Sequence, residues 1–588
     1  MPTTRSARPL SLTGKKWLVL DCDQGQRDAL VHSLGLSPLL ARLLLNRGLS
    51  GPDGARAFLD PDLNSLHDPQ LLPGMAEAVA RIRKAIAAGE KVLLYGDYDA
   101  DGVPALALLS EFFRLVGLEH ECYIPHRIEE GYGVHAEAIE AAAANGIGLI
   151  ITADCGVGAV EEVERARQLG LDVIITDHHE PPRVVPRAVA VVNPKLTGSL
   201  YPFRDLSGVG VVFKLAWALA QSFSPGKRVT PEFRSFLLEA MALVAVGTVA
   251  DVVPLLGENR VFAVYGLHAL RKCTNPGLVA LVEQAGLRDK QITPRDVAFK
   301  IGPRLNAAGR LADATLCVEL LTCRDPGRAA AIARELESRN RERQRIQNSI
   351  LNEARAQLAA LGDLDDRRAI VLASETWHAG VVGIVAAKLA EEFMRPTVLL
   401  CLEGDVARGS ARSVPHFDLF GALEACQSVL LAYGGHRQAA GLKLRREDIE
   451  RFTDLFEHQV REWLGGEEPC GILEIDAEVP LAAVDAELVR ELEQIEPCGQ
   501  GNPPPVLACV EVTVAGQPTL MGSAGQHIAF YAAQGNKSLR AVGFGMGGIY
   551  EHLAGGAAVC DIAFTPRIND YRGTREVELI LRDVRLRG

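Results

Sequence analysis

No stretch of this chain stays apolar for the ~18–20 positions that a membrane-crossing helix needs, so an integral membrane protein is not expected. The N-terminus, Met1-Pro2-Thr3-Thr4-Arg5, does not lead a charged start into an apolar core, so no secretory leader is expected either. The 12 cysteines form no CxxC pair, and Cys122, Cys401, Cys509 and Cys560 sit inside apolar runs. That disfavours a zinc site or a disulfide framework and fits reduced, structural cysteines in a cytoplasmic protein. An excess of positive charge is also missing. The formal net charge is −12, which taken alone argues against a nucleic-acid partner. Two features weaken that argument. Acidic metal ligands would account for part of the total, and bound cations would reverse the sign locally. The arginines also cluster, at Arg304, Arg310, Arg334, Arg339, Arg341, Arg343 and Arg345, then at Arg408, Arg412 and Arg437.

What is present begins with length. The 588 residues, 48% of them hydrophobic, suffice for several domains of the usual ~100–200 residues with real cores. The most informative segment is Asp97-Tyr98-Asp99-Ala100-Asp101-Gly102, which follows a strand-like run from Lys91 to Tyr95 and precedes a helical stretch from Ala105 to Val116. Three carboxylates so close repel one another unless a cation sits among them, and hard divalent ions prefer such oxygen ligands. An isolated acidic turn is usually just solvated. Here two further clusters end later strands: Asp154 after Gly148 to Ile151, and Asp177-His178-His179 after Asp172 to Thr176. Helical segments such as Val160 to Leu169 separate the strands. That order implies a parallel sheet with every cluster on its carboxyl edge, where open α/β sheets bind ligands. Asp251 lies in Val246-Gly247-Thr248-Val249-Ala250-Asp251-Val252-Val253-Pro254, where a lone carboxylate is costly to ionise unless paired or metal-bound. Histidine beside carboxylates suits Mn2+ at least as well as Mg2+. The reading is a site for two metal ions.

Asp97 to Gly102 and Asp177-His178-His179 resemble the first and third motifs of the DHH phosphoesterases. Within that family, the chain from about residue 40 onward is similar to the bacterial exonucleases specific for single-stranded DNA. The likeness runs through Gly302-Pro303-Arg304-Leu305-Asn306-Ala307-Ala308-Gly309-Arg310, Trp377-His378-Ala379-Gly380, Ser410-Ala411-Arg412-Ser413 and Gly434-Gly435-His436. One small departure is Ala153 before Asp154, where the family pattern has valine. The resemblance implies that Asp97, Asp99, Asp101, Asp154, His178 and Asp251 hold two Mn2+ or Mg2+ ions, with Asp154 bridging them. His179 is then the substrate-side catalytic group, while Asp177 orients an imidazole from behind. Arg127, Ser410 and Arg412 would recognise the 5′ end, with Asn306 also on the substrate side. The implied activity is processive 5′-to-3′ removal of mononucleotides from single-stranded DNA, in repair and recombination. The implied partners are a helicase and a single-strand-binding protein, with the enzyme a monomer and no membrane involved.

Other residues carry signals in their own chemistry. Arg304 and Arg310, flanked by glycine and proline, suggest a shaped loop in which guanidinium forks grip phosphate. Ser410 and Arg412 share one face if their segment is a strand. The glycines Gly434 and Gly435 let backbone amides approach a phosphate while His436 supplies a donor. Trp377 is as suited to packing as to binding.

Five regions are expected. Residues 1–75 form a lead-in and helical segment, and 76–325 the α/β catalytic domain with its parallel sheet. A connecting helix fills 326–362, with Asp325 as N-cap, Pro326 in its first turn and a solvated middle from Glu337 to Arg345. A second, smaller α/β domain spans 363–465. Residues 466–588 hold a linker and five or six short strands that suggest a small barrel, which the resemblance makes an OB-fold for single strands. Two rival functions use the same residues: a phosphoesterase for small molecules or short oligonucleotides, and an inactive DNA-binding scaffold. The first leaves the barrel and long helix unexplained, and the second would be expected to lose carboxylates that this chain retains.

Overall fold

The computed structural model describes residues 10–127, 129–226, 228–311, 313–362, 367–465, 470–555, 558–569 and 575–587. It divides into two compact units, residues 62–469 and the residues up to Pro61 together with those from Cys470 on.

The larger unit is built on a five-stranded, all-parallel sheet in the order His120–Tyr123, Val92–Gly96, Leu149–Ala153, Asp172–Thr176, Ala190–Val192. Val92–Gly96 and Leu149–Ala153 are buried along their whole length, as strands covered on both faces must be. In register, Gly96 pairs with Ala153 and Ala153 with Thr176, so Asp97, Asp154 and Asp177 leave the sheet side by side. Helices Gly102–Val116, Gly208–Phe223 and Pro231–Ala250 pack over one face in a single core. Pro231–Ala250, with 20 residues and a mean hydropathy of 1.6 over its most apolar window, is by length and composition able to cross a membrane. This departs from the expectation that no run is long enough. Leu237 and the run from Ala240 to Val249 are instead buried within this unit's core.

The connecting helix is Pro326–Ala360, whose N-cap Asp325 accepts a hydrogen bond from the Arg328 amide. Its first half buries Ala329, Ile332, Ala333 and Leu336 in the core of the parallel sheet. Its second half buries Ile350, Leu351, Ala354 and Leu358 against Trp377, Val381 and Leu372. The middle is not the solvated span expected from its charges. Asn340, Arg343 and Gln347 are buried there, because their polar ends bond one another along the helix, Arg343 Nη1 donating to Gln347 Oε1 at 2.8 Å and Nη2 to Asn340 Oδ1 at 3.0 Å. Beyond it, a five-stranded sheet runs Leu430–Gly435, Ala439–Arg445, Val406–Arg412, Thr397–Glu403, Ile370–Ser374.

The smaller unit joins the residues up to Pro61 to those from Cys470 on. Strand Lys15–Val19 pairs in parallel with Gly471–Ile475. Buried Arg47 donates to Asn502 Oδ1 at 2.6 Å, Pro503 O at 2.6 Å and Leu43 O at 2.8 Å, while Asn502 Nδ2 reaches Ile495 O and Pro497 O. The turn-rich Gly499 to Pro505 segment is therefore a clasp around an N-terminal arginine. Five longer strands, Leu507–Met521, His527–Gln534, Lys537–Gly543, Glu576–Leu586 and Val559–Asn569, pair in that order and close through Leu507–Met521 onto Val559–Asn569, with the short Ala477–Glu478 added beside Leu507–Met521. This is a closed five-stranded barrel, as an OB-fold requires. The expected boundaries at 363 and 466 lie outside the described residues.

Candidate metal centre and phosphate pocket

Seven carboxylate and imidazole groups meet at the carboxyl edge of the parallel sheet. Three sets of ligand atoms come within 4.8 Å of one another: Asp97, Asp99 and Asp154; Asp101, His178 and Asp251; and Asp154, His178 and His179. Asp251 arrives from the C-cap of helix Pro231–Ala250 rather than from a strand. Two glycines make the approach possible. A Cβ on Gly208 would lie 2.2 Å from Asp154 Oδ1, and one on Gly247 would lie 2.4 Å from Asp101 Oδ1. The amides of Gly208 and Val209, at the start of their helix, donate to Asp101 at 2.7 and 3.0 Å, the favourable end of the helix dipole. Asp99 Oδ1 accepts from the amides of Asp101 and Gly102, which folds the acidic loop back on itself. Asp154 itself holds a left-handed φ of 65°, uncommon for a non-glycine residue and frequent where geometry serves a site.

Burial sets the electrostatics. It pushes Asp97 and Asp154 well above the usual carboxylate range, helped by Asp99 and by Asp101 respectively. It raises Asp101 to about 7 and Asp251 to about 9, with neighbouring carboxylates adding to both. Burial and the nearby His179 hold His178 down to about 3, so its imidazole is neutral. His178 Nε2 lies 3.2 Å from Asp154, 3.6 Å from Asp251 and 4.0 Å from Asp101. Yet Asp97 Oδ1, Asp154 Oδ1 and His178 Nε2 are buried without a hydrogen-bond partner among the described residues. Converging lone pairs with no donor fit a divalent cation and little else. The donor set of carboxylates and one neutral imidazole suits Mn2+ or Mg2+.

His179 differs from its neighbour. Asp177 accepts from the His178 and His179 amides and from His179 Nδ1 at 2.7 Å, and its other oxygen accepts from Val157 N. Burial opposes charge on His179, but this bond and the Asp177 charge win and lift it to about 9. Nδ1–H is thereby fixed toward Asp177 and Nε2 is turned away from it.

Beside the acidic cleft lies a pocket of guanidinium groups. Arg127 stacks on the Tyr98 ring at 4.7 Å. Arg412 Nη1 donates to Ser410 Oγ at 2.9 Å, both on strand Val406–Arg412. Burial, then Arg127, Arg412 and Arg343, press Arg310 down to about 9. Ser410, Gly441 and Gly434 stand in register on adjacent strands, which puts Gly434 two strands across the sheet from Ser410.

Several expected residues are placed differently. Gly302–Leu311 is a helix, not a loop. Arg304 pairs with Glu337 at 2.7 Å and also donates to the Lys300 and Gln284 carbonyls, so it braces the connecting helix instead of gripping phosphate. Asn306 Oδ1 accepts from the Ala100 amide at 2.9 Å, which holds the aspartate loop from behind. Trp377 is buried packing, and His378 caps helix Ala379–Phe393 through the Gly380 amide. Two residues escaped the sequence reading. Tyr132 brings its hydroxyl 3.2 Å from His179 Nδ1, and its place between Gly131 and Gly133 was an available signal. Arg343 sat inside a charged run that reads as solvent-facing.

Family models match at residues 91–247 (DHH family, N-terminal domain), 366–462 (DHHA1 domain) and 475–583 (RecJ OB domain). The chain is 36% identical over 570 residues to the single-stranded-DNA-specific exonuclease RecJ of Bacillus subtilis, covering 97% of this chain and 70% of that one. It is 33% identical over 565 residues to RecJ of Escherichia coli, covering 93% and 96%. The chain belongs to the RecJ family. The structure of Thermus thermophilus RecJ in complex with Mn2+ superposes with a TM-score of 0.82 at 29% identity, covering 97% of this chain and 80% of that one. RecJ from the same organism in complex with Mg2+ gives 0.75 at 28% identity, covering 97% and 79%.

Proposed function

We propose that this chain is a metal-dependent exonuclease that hydrolyses single-stranded DNA from its 5′ end to mononucleotides. One observation carries the reading: an acidic cleft with unpartnered buried ligand atoms lies next to a pocket of unneutralised guanidiniums. Asp97, Asp99, Asp101, Asp154, His178 and Asp251 would hold two Mn2+ or Mg2+ ions, which when bound supply an acidified water and Lewis acidity toward the phosphoryl group. The protein's own groups do the rest. Arg127, Arg310, Arg412 and Ser410 hold the terminal 5′ phosphate, so the scissile bond is the one next to the strand end. His179, its ring fixed by Asp177, offers Nε2–H to the oxygen that leaves. Asn306 keeps the aspartate loop in place, and the barrel binds single-stranded DNA.

An enzyme restricted to single strands needs another activity to separate duplex, so a helicase and a single-strand-binding protein are the expected partners. We also place it in the cytoplasm as a monomer. The test is digestion of 5′-labelled single-stranded DNA with Mn2+ beside matched duplex and a short pNp-type substrate. Mononucleotide release from the single strand alone is expected. Cleavage of the pNp-type substrate with none of the strand would replace this reading with a small-molecule phosphoesterase.

A further inference from the structure

Phe299 is among the most exposed large apolar residues of the chain, with 74% of its surface in contact with solvent. It does not sit on a loose loop. It lies on the π-helical turn Val297–Ile301, between the fully buried Val297 and Ile301. A π-turn inserts one residue into a helix and re-aims its side chains, a device concentrated at functional sites. The turn runs straight into helix Gly302–Leu311, which is fastened to two sides of the acidic cleft. On one side Asn306 holds the Ala100 amide of the aspartate loop. On the other, a Cβ on Gly302 would touch the Ala250 methyl at 3.3 Å, and Ala250 precedes Asp251. Immediately past Asp251, Val252 takes a left-handed φ of 63° and is 61% exposed, a strained backbone for a β-branched residue. Two exposed apolar side chains thus lie on the segments that lead into helix Gly302–Leu311 and away from Asp251, and the Arg295 guanidinium lies over the Phe299 ring at 6.0 Å.

We propose that Phe299 is a stacking platform for one base of the strand under degradation, with Arg295 beside it to meet the adjoining phosphate. The proposal rests on the function given above. A rigid aromatic ring next to a cation is what an unpaired base and its phosphate require, and stacking of this kind reads no sequence. In a duplex both faces of every base are already covered, so the contact also favours single strands.

The test uses the full chain, inactivated by Asp154→Asn, and a set of 5′-phosphorylated single strands that each carry one abasic position. Binding is measured for this parent and for Phe299→Ala, Phe299→Leu and Phe299→Trp added to it. One abasic position should weaken the parent about tenfold, and Phe299→Ala should weaken the intact strand by the same factor. The two losses should not add when combined. Tryptophan should restore binding and leucine should not. Losses that add at every position, or equal binding by parent and Phe299→Ala, overturn the proposal. So does a clear fall in thermal midpoint for Phe299→Ala, because the ring would then be packing. A parent that prefers duplex would overturn the functional reading beneath, and that result appears before any Phe299 variant is made.

Discussion

Replacing Arg412 by alanine should remove the preference for 5′-phosphorylated strands and leave the fold at least as stable as before. The guanidinium is partly buried, and its contacts with Ser410 Oγ and Ala411 O leave its charge unneutralised. Burial, then Arg127, depress its pKa, and Arg412 in turn helps depress Arg310. The free protein therefore carries repulsion at this spot, which a bound phosphate dianion would reverse. A charge-assisted contact is worth roughly 1.5–3 kcal/mol, or about ten- to a hundredfold in affinity. The assay compares binding of one sequence with a 5′ phosphate and with a 5′ hydroxyl, in an inactive background, alongside thermal unfolding of the free chain. Arg412→Ala should lose that factor on phosphorylated ends only, and its midpoint should hold or rise. Arg412→Lys should fall between, because it keeps the charge but loses the planar fork. Equal losses on both ends would reduce Arg412 to a generic backbone contact. A lower midpoint would make it a packing brace.

Asp154→Ala should abolish hydrolysis with folding intact; activity within about tenfold of wild type, roughly 1.4 kcal/mol of barrier, together with normal metal content would refute the assignment. Gly208→Ala would set a methyl 2.4 Å from Asp154 Cγ, so metal affinity and turnover should both collapse, and calorimetry with Mn2+ would reveal a site left unharmed. Asp101 and Asp251, raised to about 7 and about 9, keep protons in the folded protein that the unfolded chain gives up above about pH 4. Metal-free stability should therefore decline as pH rises from about 4 through about 9, and Mn2+ should release protons and flatten that slope; parallel unfolding curves with EDTA and with Mn2+ would contradict this. On the barrel, Tyr531 and Phe544 are each 54% exposed while Phe530 is 3% exposed, so alanine at the first two should weaken long strands by ~1–3 kcal/mol per stacked base, whereas Phe530→Ala should unfold the barrel. Unchanged binding by both surface variants would move the DNA path elsewhere; Tyr571, another candidate for stacking, lies outside the described residues.

The parallel sheet was legible because its signals are local. Apolar runs of strand length end in acids, and short helical segments alternate with them, so topology and the shared edge follow together. The five barrel strands could be read from alternation and turns for the same reason. Long-range pairings could not. Nothing in Lys15 to Val19 announces a partner at Gly471 to Ile475, and Arg47 looks like any surface arginine until Asn502 and Pro503 close on it. Composition also misled where polar groups satisfy one another. Glu337 to Arg345 reads as a solvated span, yet Asn340, Arg343 and Gln347 bury themselves by bonding along the helix, and Glu337 takes Arg304 away from the substrate. Arg304 and Arg310 share one motif and were indistinguishable by type. Their fates separate only through what faces them in three dimensions.

The acidic cleft and the guanidinium pocket present the same physical problem with opposite sign. In each, burial and like-charged neighbours penalise the charged form, and what opposite charge the chain brings near does not outweigh them. Structural ion pairs elsewhere in the molecule are not built this way. Buried Lys214, for instance, meets Glu258 at 2.5 Å and the His67 carbonyl at 2.8 Å, and Arg585 meets Asp561 at 2.7 Å. The protein can pair buried charges and has left these two clusters unpaired, side by side. Asp99 contributes to the field at Arg310, so the two are electrostatic neighbours rather than independent sites. Neutralising either one, by Asp154→Asn or by Arg310→Met, should raise the thermal midpoint of the free chain and remove activity. A loss of activity without the gain in stability would mean that the cluster is already compensated within the fold, and that its charge is not what the substrate or the metal completes.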